Sequence, residues 1–146
     1  MTSTIEGTLD HALCFAQRLN NCDLSCAVVA ALIDLGVATH RIGFEYLKHA
    51  ILMYCDEPSQ MITKTIYPAV GRRYEPRAGK FQVEQAIRSV IHDAWENRDE
   101  AVWRCYFPSN QEGFVEKPSN GEFISRVARF LELWQGCCKG VNYESE

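Results

Sequence analysis

Four side chains in the stretch Lys80–Trp95 carry functional groups that can contact the edges of DNA bases. They recur at helical spacing and comprise an aromatic ring, a carboxylate, an amide and a guanidinium, namely Phe81, Glu84, Gln85 and Arg88. In a major groove, arginine pairs with guanine, glutamine pairs with adenine, a carboxylate accepts from cytosine, and an apolar group contacts the thymine methyl. The sequence therefore predicts base contacts at these four positions.

The same side chains leave a second interpretation open. Phe81 lies at an outward position of the helix, where it serves as a groove or interface contact, but a large aromatic residue also suits a core. Glu84 and Arg88 are four residues apart, the spacing of a surface ion pair that contributes about 0.2–0.5 kcal/mol to helix stability.

Basic residues are concentrated in and just before this stretch. The chain of 146 residues has a formal net charge of −4, yet six of its 15 Lys and Arg residues fall within residues 63–88, against two acidic residues. This asymmetry predicts a local surface for polyanions, although an ordinary solvated face has the same composition. The predicted phosphate contacts are Lys64, Arg72, Arg73, Arg77, Lys80 and His92, the last of which suits a solvated helix surface equally well.

The element that must position the base contacts is an amphipathic helix. Its apolar residues fall on the opposite face, at Val83, Ala86, Ile87, Val90, Ile91 and Ala94. A shorter helix, predicted over Pro68–Tyr74, precedes it, and a turn containing Gly79 connects the two. Two helices joined in this way, the second amphipathic, are typical of a helix-turn-helix that places its second helix in the major groove.

The remaining periodicity is helical throughout, so the predicted fold class is all-α: a compact bundle of about six helices containing the helix-turn-helix, plus an N-terminal helix. Further helices are predicted over residues 8–20, 23–36, 40–56, 62–67, 99–107 and 122–135, with caps at Asp23, Gly36 and Ser119. The predicted organisation is an N-terminal helical extension (1–21), the DNA-binding domain (22–136) and a flexible tail (137–146). The helix at 8–20 either makes a dimer contact or covers the core.

Composition disfavours several other classes. The chain has no apolar run of the roughly 18–20 residues that cross a bilayer, and its first residues lack the pattern of a secretory signal. A cytoplasmic protein without a membrane partner, with its seven cysteines reduced, is the expectation. We find no zinc-ligand spacing, phosphate-binding glycine loop, nucleophile elbow or paired catalytic carboxylates, so neither a metal, a cofactor nor an enzymatic activity is predicted.

Five short motifs follow one another along the chain. They are Gly43-Phe44-Glu45-Tyr46-Leu47, Tyr67-Pro68, Arg72-Arg73-Tyr74, Val83-Glu84-x-Ala86-Ile87-Arg88 and Lys117-Pro118-x-Asn120-x-Glu122-Phe123-Ile124. From about Ala27 to Leu133 the chain thereby resembles the C-terminal effector domain of the sporulation initiation response regulator family of endospore-forming bacteria. The resemblance implies a six-helix domain that binds double-stranded DNA, often as a homodimer or tandem dimer, and that regulates transcription. A sigma factor of RNA polymerase is a further partner that it implies.

The resemblance implies that Glu84 and Arg88 contact bases, because they match base-contacting positions of the family. It also implies that Lys64, Arg72 and Arg73 approach phosphates.

The chain departs from the family pattern at several points. Gln85 stands where the family has an arginine, which removes a guanine contact worth about 1–3 kcal/mol of discrimination. Phe81 replaces a small polar residue, and the turn at residues 76–79 is about two residues longer. We therefore expect a DNA target that differs from the family's usual box. About 26 residues precede the match, too few for a phospho-receiver domain, so control by phosphorylation is not expected.

Two functions remain open on the sequence. The first is a stand-alone, sequence-specific DNA-binding transcription regulator. The second is a protein-interaction module or antagonist that pairs with a related regulator without contacting DNA, which the net negative charge and Gln85 favour.

Overall fold

The computed structural model describes residues 2–19 and 22–144, with side chains for residues 7–19 and 22–139. This part of the chain contains seven α-helices, one π-helical turn and no β-strand, which confirms the predicted all-α class. The α-helices are α1 (Thr2–Arg18), α2 (Leu24–Asp34), α3 (Ile42–Asp56), α4 (Tyr67–Gly71), α5 (Lys80–Glu96), α6 (Glu100–Tyr106) and α7 (Asn120–Glu144), and the π-helical turn is Ile62–Ile66.

The hydrophobic core lies between α3, α5 and α7, with the other helices packed around them. Its largest fully buried side chains are Trp103, Phe15, Phe123 and Phe130. The indole N–H of Trp103 donates to the carbonyl of Leu35 at 3.1 Å, so this buried polar group is satisfied. Helix α1 contributes to the same core, because Ala12, Phe15 and Ala16 are buried against its neighbours. The helix therefore covers the core, while a dimer contact through it stays a prediction.

Helix α5 is held very close to α3 by a glycine. A Cβ atom at Gly43 would lie 2.4 Å from the carbonyl oxygen of Ala86 and 2.8 Å from a methyl group of Val90. Since no real side chain tolerates such distances, only glycine permits this approach of the two helices. The position of α5, which carries the predicted base contacts, is thus fixed by its backbone contact with α3.

The predicted helix caps are confirmed. The carboxylate of Asp23 accepts from the N–H of Cys26 at 2.8 Å, and Gly36 has a φ of 84° just after α2. Ser119 caps α7 as predicted, since the Glu122 N–H donates to its hydroxyl oxygen at 3.2 Å. The second half of the capping box differs, because the Glu122 carboxylate accepts from the Ser119 hydroxyl.

Three helix ends lie well away from their predicted positions. Helix α1 begins at Thr2 rather than at residue 8. Helix α4 ends at Gly71 rather than Tyr74, because the chain folds back and the Ala78 N–H donates to the Gly71 carbonyl at 3.1 Å. Helix α7 continues past the predicted end at Gln135 to Glu144, because Cys138 extends the buried stripe one turn beyond Trp134. The flexibility of residues 137–146 and the domain boundaries stay predictions, and residues 145 and 146 lie outside the described part.

The cysteines also depart from expectation. Cys22 and Cys26 form a disulfide, so the prediction that every thiol is reduced is wrong at this pair. The turn that Asp23 caps brings their Cα atoms to 5.9 Å, within the usual range for a disulfide. The other five cysteines are free. None of the described helices combines the length and the apolar character that a membrane crossing requires.

Candidate nucleic-acid interface

Helix α5 has one buried face and one exposed face. Its buried residues are Val83, Ile87, Val90, Ile91 and Ala94, all on the predicted apolar face, while Ala86 is half-buried. On the opposite side, the side chain of Arg88 is 58 % exposed and Phe81 is 71 % exposed. The core interpretation of Phe81 is therefore wrong. We define the α5 outer face as the shallow surface formed by Phe81, Gln82, Gln85, Ala86 and Ser89.

Glu84 and Arg88 form the ion pair that their spacing allows. Nη2 of Arg88 lies 2.8 Å from Oε1 of Glu84. Because the guanidinium is more than half exposed, this pair contributes little to stability. The pair holds the Arg88 side chain along the helix, where it stays more than half exposed. The amide of Asn120 donates to the backbone carbonyl of Glu84 at 3.1 Å, which ties the start of α7 to this turn of α5.

A cleft with a volume of about 790 Å³ opens beside this ion pair. It lies between α5, the π-helical turn and the start of α7, and we call it the lysine cleft. Its charged residues are Lys64, Lys80, Glu84, Arg88 and Lys117. Four cations face one carboxylate here, so the cleft is net positive although the chain is net negative. Such a local field attracts polyanions.

Lys117 was not among the predicted contacts. Its ammonium group lies 2.6 Å from Nδ1 of His92, which accepts this hydrogen bond. His92 is also 3.7 Å from the carboxylate of Glu96. The predicted phosphate contact at His92 is therefore partly occupied within the protein, and Lys117 presents the cation at this end of α5. The Lys117-Pro118 motif was the signal that could have drawn attention to it.

The connection between α4 and α5, residues 72–79, carries three exposed arginines outside the lysine cleft. Nη1 of Arg73 is 3.4 Å from Nδ1 of His49. Burial lowers the pKa of His49, and the charges of Arg73 and Lys48 lower it further. Arg72 and Arg77 make no hydrogen bond or ion pair with any side chain in residues 7–19 and 22–139. Their guanidinium groups are thus free to bind an external anion.

Sequence analysis missed three interactions of α5: one caps the start of the helix, and two hold the helix against a distant segment. The Gly79 N–H donates to the side-chain oxygen of Gln82 at 2.8 Å, which satisfies a donor at the helix start. Further along, Arg41 donates to the hydroxyl of Ser89 at 2.6 Å and forms an ion pair with Asp93. The two contacts of Arg41 join α5 to the residue before α3, and so help to hold the helix that carries the exposed side chains.

The structure thus brings the predicted residues together in three groups. Lys64, Lys80, Glu84 and Arg88 share the lysine cleft, Phe81 and Gln85 share the α5 outer face, and Arg72, Arg73 and Arg77 lie in the connection before α5.

An all-helical domain that exposes one amphipathic helix beside a cationic cleft has the surface expected of a helical domain that binds a polyanion. Residues 28–131 match the family model described as sporulation initiation factor Spo0A C terminal. Because the match covers more than half of the 146 residues, the chain belongs to this family, the DNA-binding effector domain of a sporulation regulator. The resemblance inferred from the motifs is confirmed.

Proposed function

We propose that this protein is a sequence-specific double-stranded DNA-binding regulator of transcription. In this proposal α4, the connection and α5 act as a helix-turn-helix, with α5 in the major groove. The observation that supports it most is the exposure of Arg88 and Phe81 on a helix whose opposite face is buried in the core. Family membership adds that domains of this kind bind DNA.

The surroundings of each side chain indicate whether it contacts phosphates or bases in this proposal. Arg72 and Arg77 lie off α5 and have no side-chain partner among the described residues, so they contact phosphates and contribute affinity for any sequence. Phe81, Gln85 and Arg88 lie on the exposed side of α5, so they contact base edges together with Glu84.

The experiment is the selection of bound oligonucleotides from a random duplex pool, followed by affinity measurements with variants. Arg88→Ala should reduce the preference for the selected sequence at one base step, by about 1–3 kcal/mol. Arg72→Ala should weaken binding to selected and random duplexes alike. Arg104→Ala, an exposed arginine on α6 away from both surfaces, is the matched control and should bind like the parent protein.

Two outcomes would contradict the proposal. One is a pool that shows no enrichment for any sequence. The other is unchanged duplex binding in both Arg72→Ala and Arg88→Ala, which would remove the site assignment.

A second candidate is an interaction module that pairs with a related regulator without contacting DNA. The exposure of an aromatic ring at Phe81 supports it, because exposed aromatic side chains are common at protein interfaces. Heparin chromatography followed by a gel shift at low salt distinguishes the two. A protein that binds neither heparin nor the DNA duplex favours the second candidate.

A further inference from the structure

A groove with a volume of about 570 Å³ lies where α1, the end of α6 and α7 meet, apart from the lysine cleft and the α5 outer face. We call it the arginine groove. Its lining residues are Thr8, Leu9, Tyr106, Phe107, Pro108, Arg126, Arg129, Phe130 and Leu133. Leu9 is 45 % exposed and Leu133 is 39 % exposed, so apolar side chains on both walls remain open to solvent.

Among the described residues that line the arginine groove, the charged ones all lie on α7. Arg126 and Arg129 lie on the same side of the helix as Phe130 and Leu133, since these positions are separated by three and four residues. Neither guanidinium makes a hydrogen bond or an ion pair with another side chain within residues 7–19 and 22–139. No acidic residue is among the described residues that line the groove.

We infer that the arginine groove binds a free acyl carboxylate, a fatty-acid-type anion. The exposed apolar side chains of Leu9 and Leu133 suit a hydrocarbon chain, whose burial is favourable. An unpaired guanidinium suits a carboxylate, which it can bind through two parallel N–H···O bonds. The volume of the groove lies in the range of small-molecule sites, roughly 300–1,000 Å³.

Charge complementarity selects this occupant over two others. A cationic amphiphile would place its head beside two unpaired guanidinium groups, where it is repelled. A second copy of the chain that used the same groove would, by two-fold symmetry, bring four arginines together. An anionic head group on an apolar chain avoids both kinds of repulsion.

The test is a calorimetric titration of the full chain with dodecanoate below its micelle-forming concentration. We expect saturable binding with one site per chain. Arg126→Gln and Arg129→Gln should each weaken binding at least tenfold, because each removes a charged hydrogen-bond donor pair but leaves the apolar walls intact. Dodecylamine, the same chain with a cationic head, should bind at least tenfold more weakly than dodecanoate.

Arg104→Gln is the matched control, since it is an exposed arginine on α6 that does not line the groove. It should bind dodecanoate like the parent protein. Circular dichroism of each variant verifies that the helical fold is retained.

Three results would overturn the inference. They are the absence of saturable binding, equal binding of dodecylamine, and unchanged binding in both arginine variants. A dimer in sedimentation that dissociates in Arg126→Gln would also overturn it, because the occupant would then be a second copy. The assay contains no DNA, so its outcome is separate from that of the proposed function.

Discussion

At the scale of single residues, Lys117 adds a cation that the charge pattern of residues 63–88 did not include. It lies in the lysine cleft, 2.6 Å from the ring of His92. If the cleft receives a DNA strand, Lys117→Ala should weaken binding to selected and random duplexes equally, since phosphate contacts carry no sequence information. The slope of log K against log salt should fall in magnitude by about 1.

Fluorescence anisotropy with both kinds of duplex at several salt concentrations measures this effect. Lys139→Ala is the control, because Lys139 is an exposed lysine on α7 that does not line the cleft. A change of base preference in Lys117→Ala, or an unchanged salt slope, would show that Lys117 does not contact phosphate.

A second residue-scale prediction concerns His11, which joins α1 to α2 and α6. Its Nε2 lies 2.6 Å from a carboxylate oxygen of Asp34, which also accepts from the hydroxyl of Tyr106 at 2.8 Å. The hydrogen bond to Asp34, and next that to Cys105, raises the pKa of His11 to about 9. Since the ordinary value is 6.5, protonation stabilises the folded state fully below pH 6.5, and this stabilisation is lost as the pH rises through 9.

Urea unfolding of the parent protein and His11→Gln at pH 6, 7.5 and 9.5 tests this. The variant should be less stable at pH 6 by about 1.5–3 kcal/mol, the contribution of a hydrogen bond to a charged group. The difference should shrink at pH 9.5, where the imidazole is neutral in the unfolded chain and mostly neutral in the folded one. A difference that does not vary with pH would mean that His11 contributes by packing alone.

At the scale of elements, local signals in the sequence were sufficient wherever the cause was local. The buried face of α5 and the caps at Asp23 and Ser119 depend on residues within a few positions of one another, and these were predicted correctly. The ends of α4 and α7 depend on contacts made elsewhere. The hydrogen bond from Ala78 ends α4, and tertiary burial of Cys138 prolongs α7. Periodicity alone does not contain that information.

The contact between α3 and α5 yields the prediction at this scale. Gly43→Ala should destabilise the protein by about 1–3 kcal/mol, since the new methyl group would overlap the backbone of Ala86. Helix α5 must then shift, so duplex affinity should also fall. Thermal or urea unfolding measures the first effect and anisotropy the second.

Gly136→Ala is the matched control within α7. A Cβ atom there meets nothing within 4 Å, and alanine favours a helix interior over glycine by up to about 1 kcal/mol. Stability should therefore stay the same or rise. If both substitutions had the same effect, the close approach at Gly43 would not be what positions α5.

At the scale of the whole molecule, the candidate site shows what composition can and cannot predict. Helical spacing placed Arg88 and Gln85 on the exposed side of α5, and the structure agrees. The lysine cleft could not be predicted as a unit, because Lys64 and Lys117 are more than fifty positions apart and meet only through the packing of α7. Likewise, the ion pair of Arg41 with Asp93 joins distant segments.

The distribution of charge leads to a prediction about the intact chain. A net charge of −4 opposes non-specific attraction to DNA, so binding must depend on the local cations around α5. Besides Arg88, which is assigned to base contacts, the exposed cations near this helix among the described residues are Lys64, Arg72, Arg73, Arg77, Lys80 and Lys117. If all six neutralise phosphates, the slope of log K against log salt should be roughly −5, since each contributes about −0.9.

Anisotropy titrations of the selected duplex across about 50–200 mM salt measure this slope, and Arg72→Ala provides the internal control, since it should lower the magnitude by about 1. A slope near zero would mean that the cations around α5 release no counterions. The affinity for DNA would then come from another part of the protein surface. The proposal that α5 faces DNA would be wrong. If the slope is steep but is the same in Arg72→Ala, the cations around α5 still bind DNA. The connection before α5 would then lie outside the DNA interface.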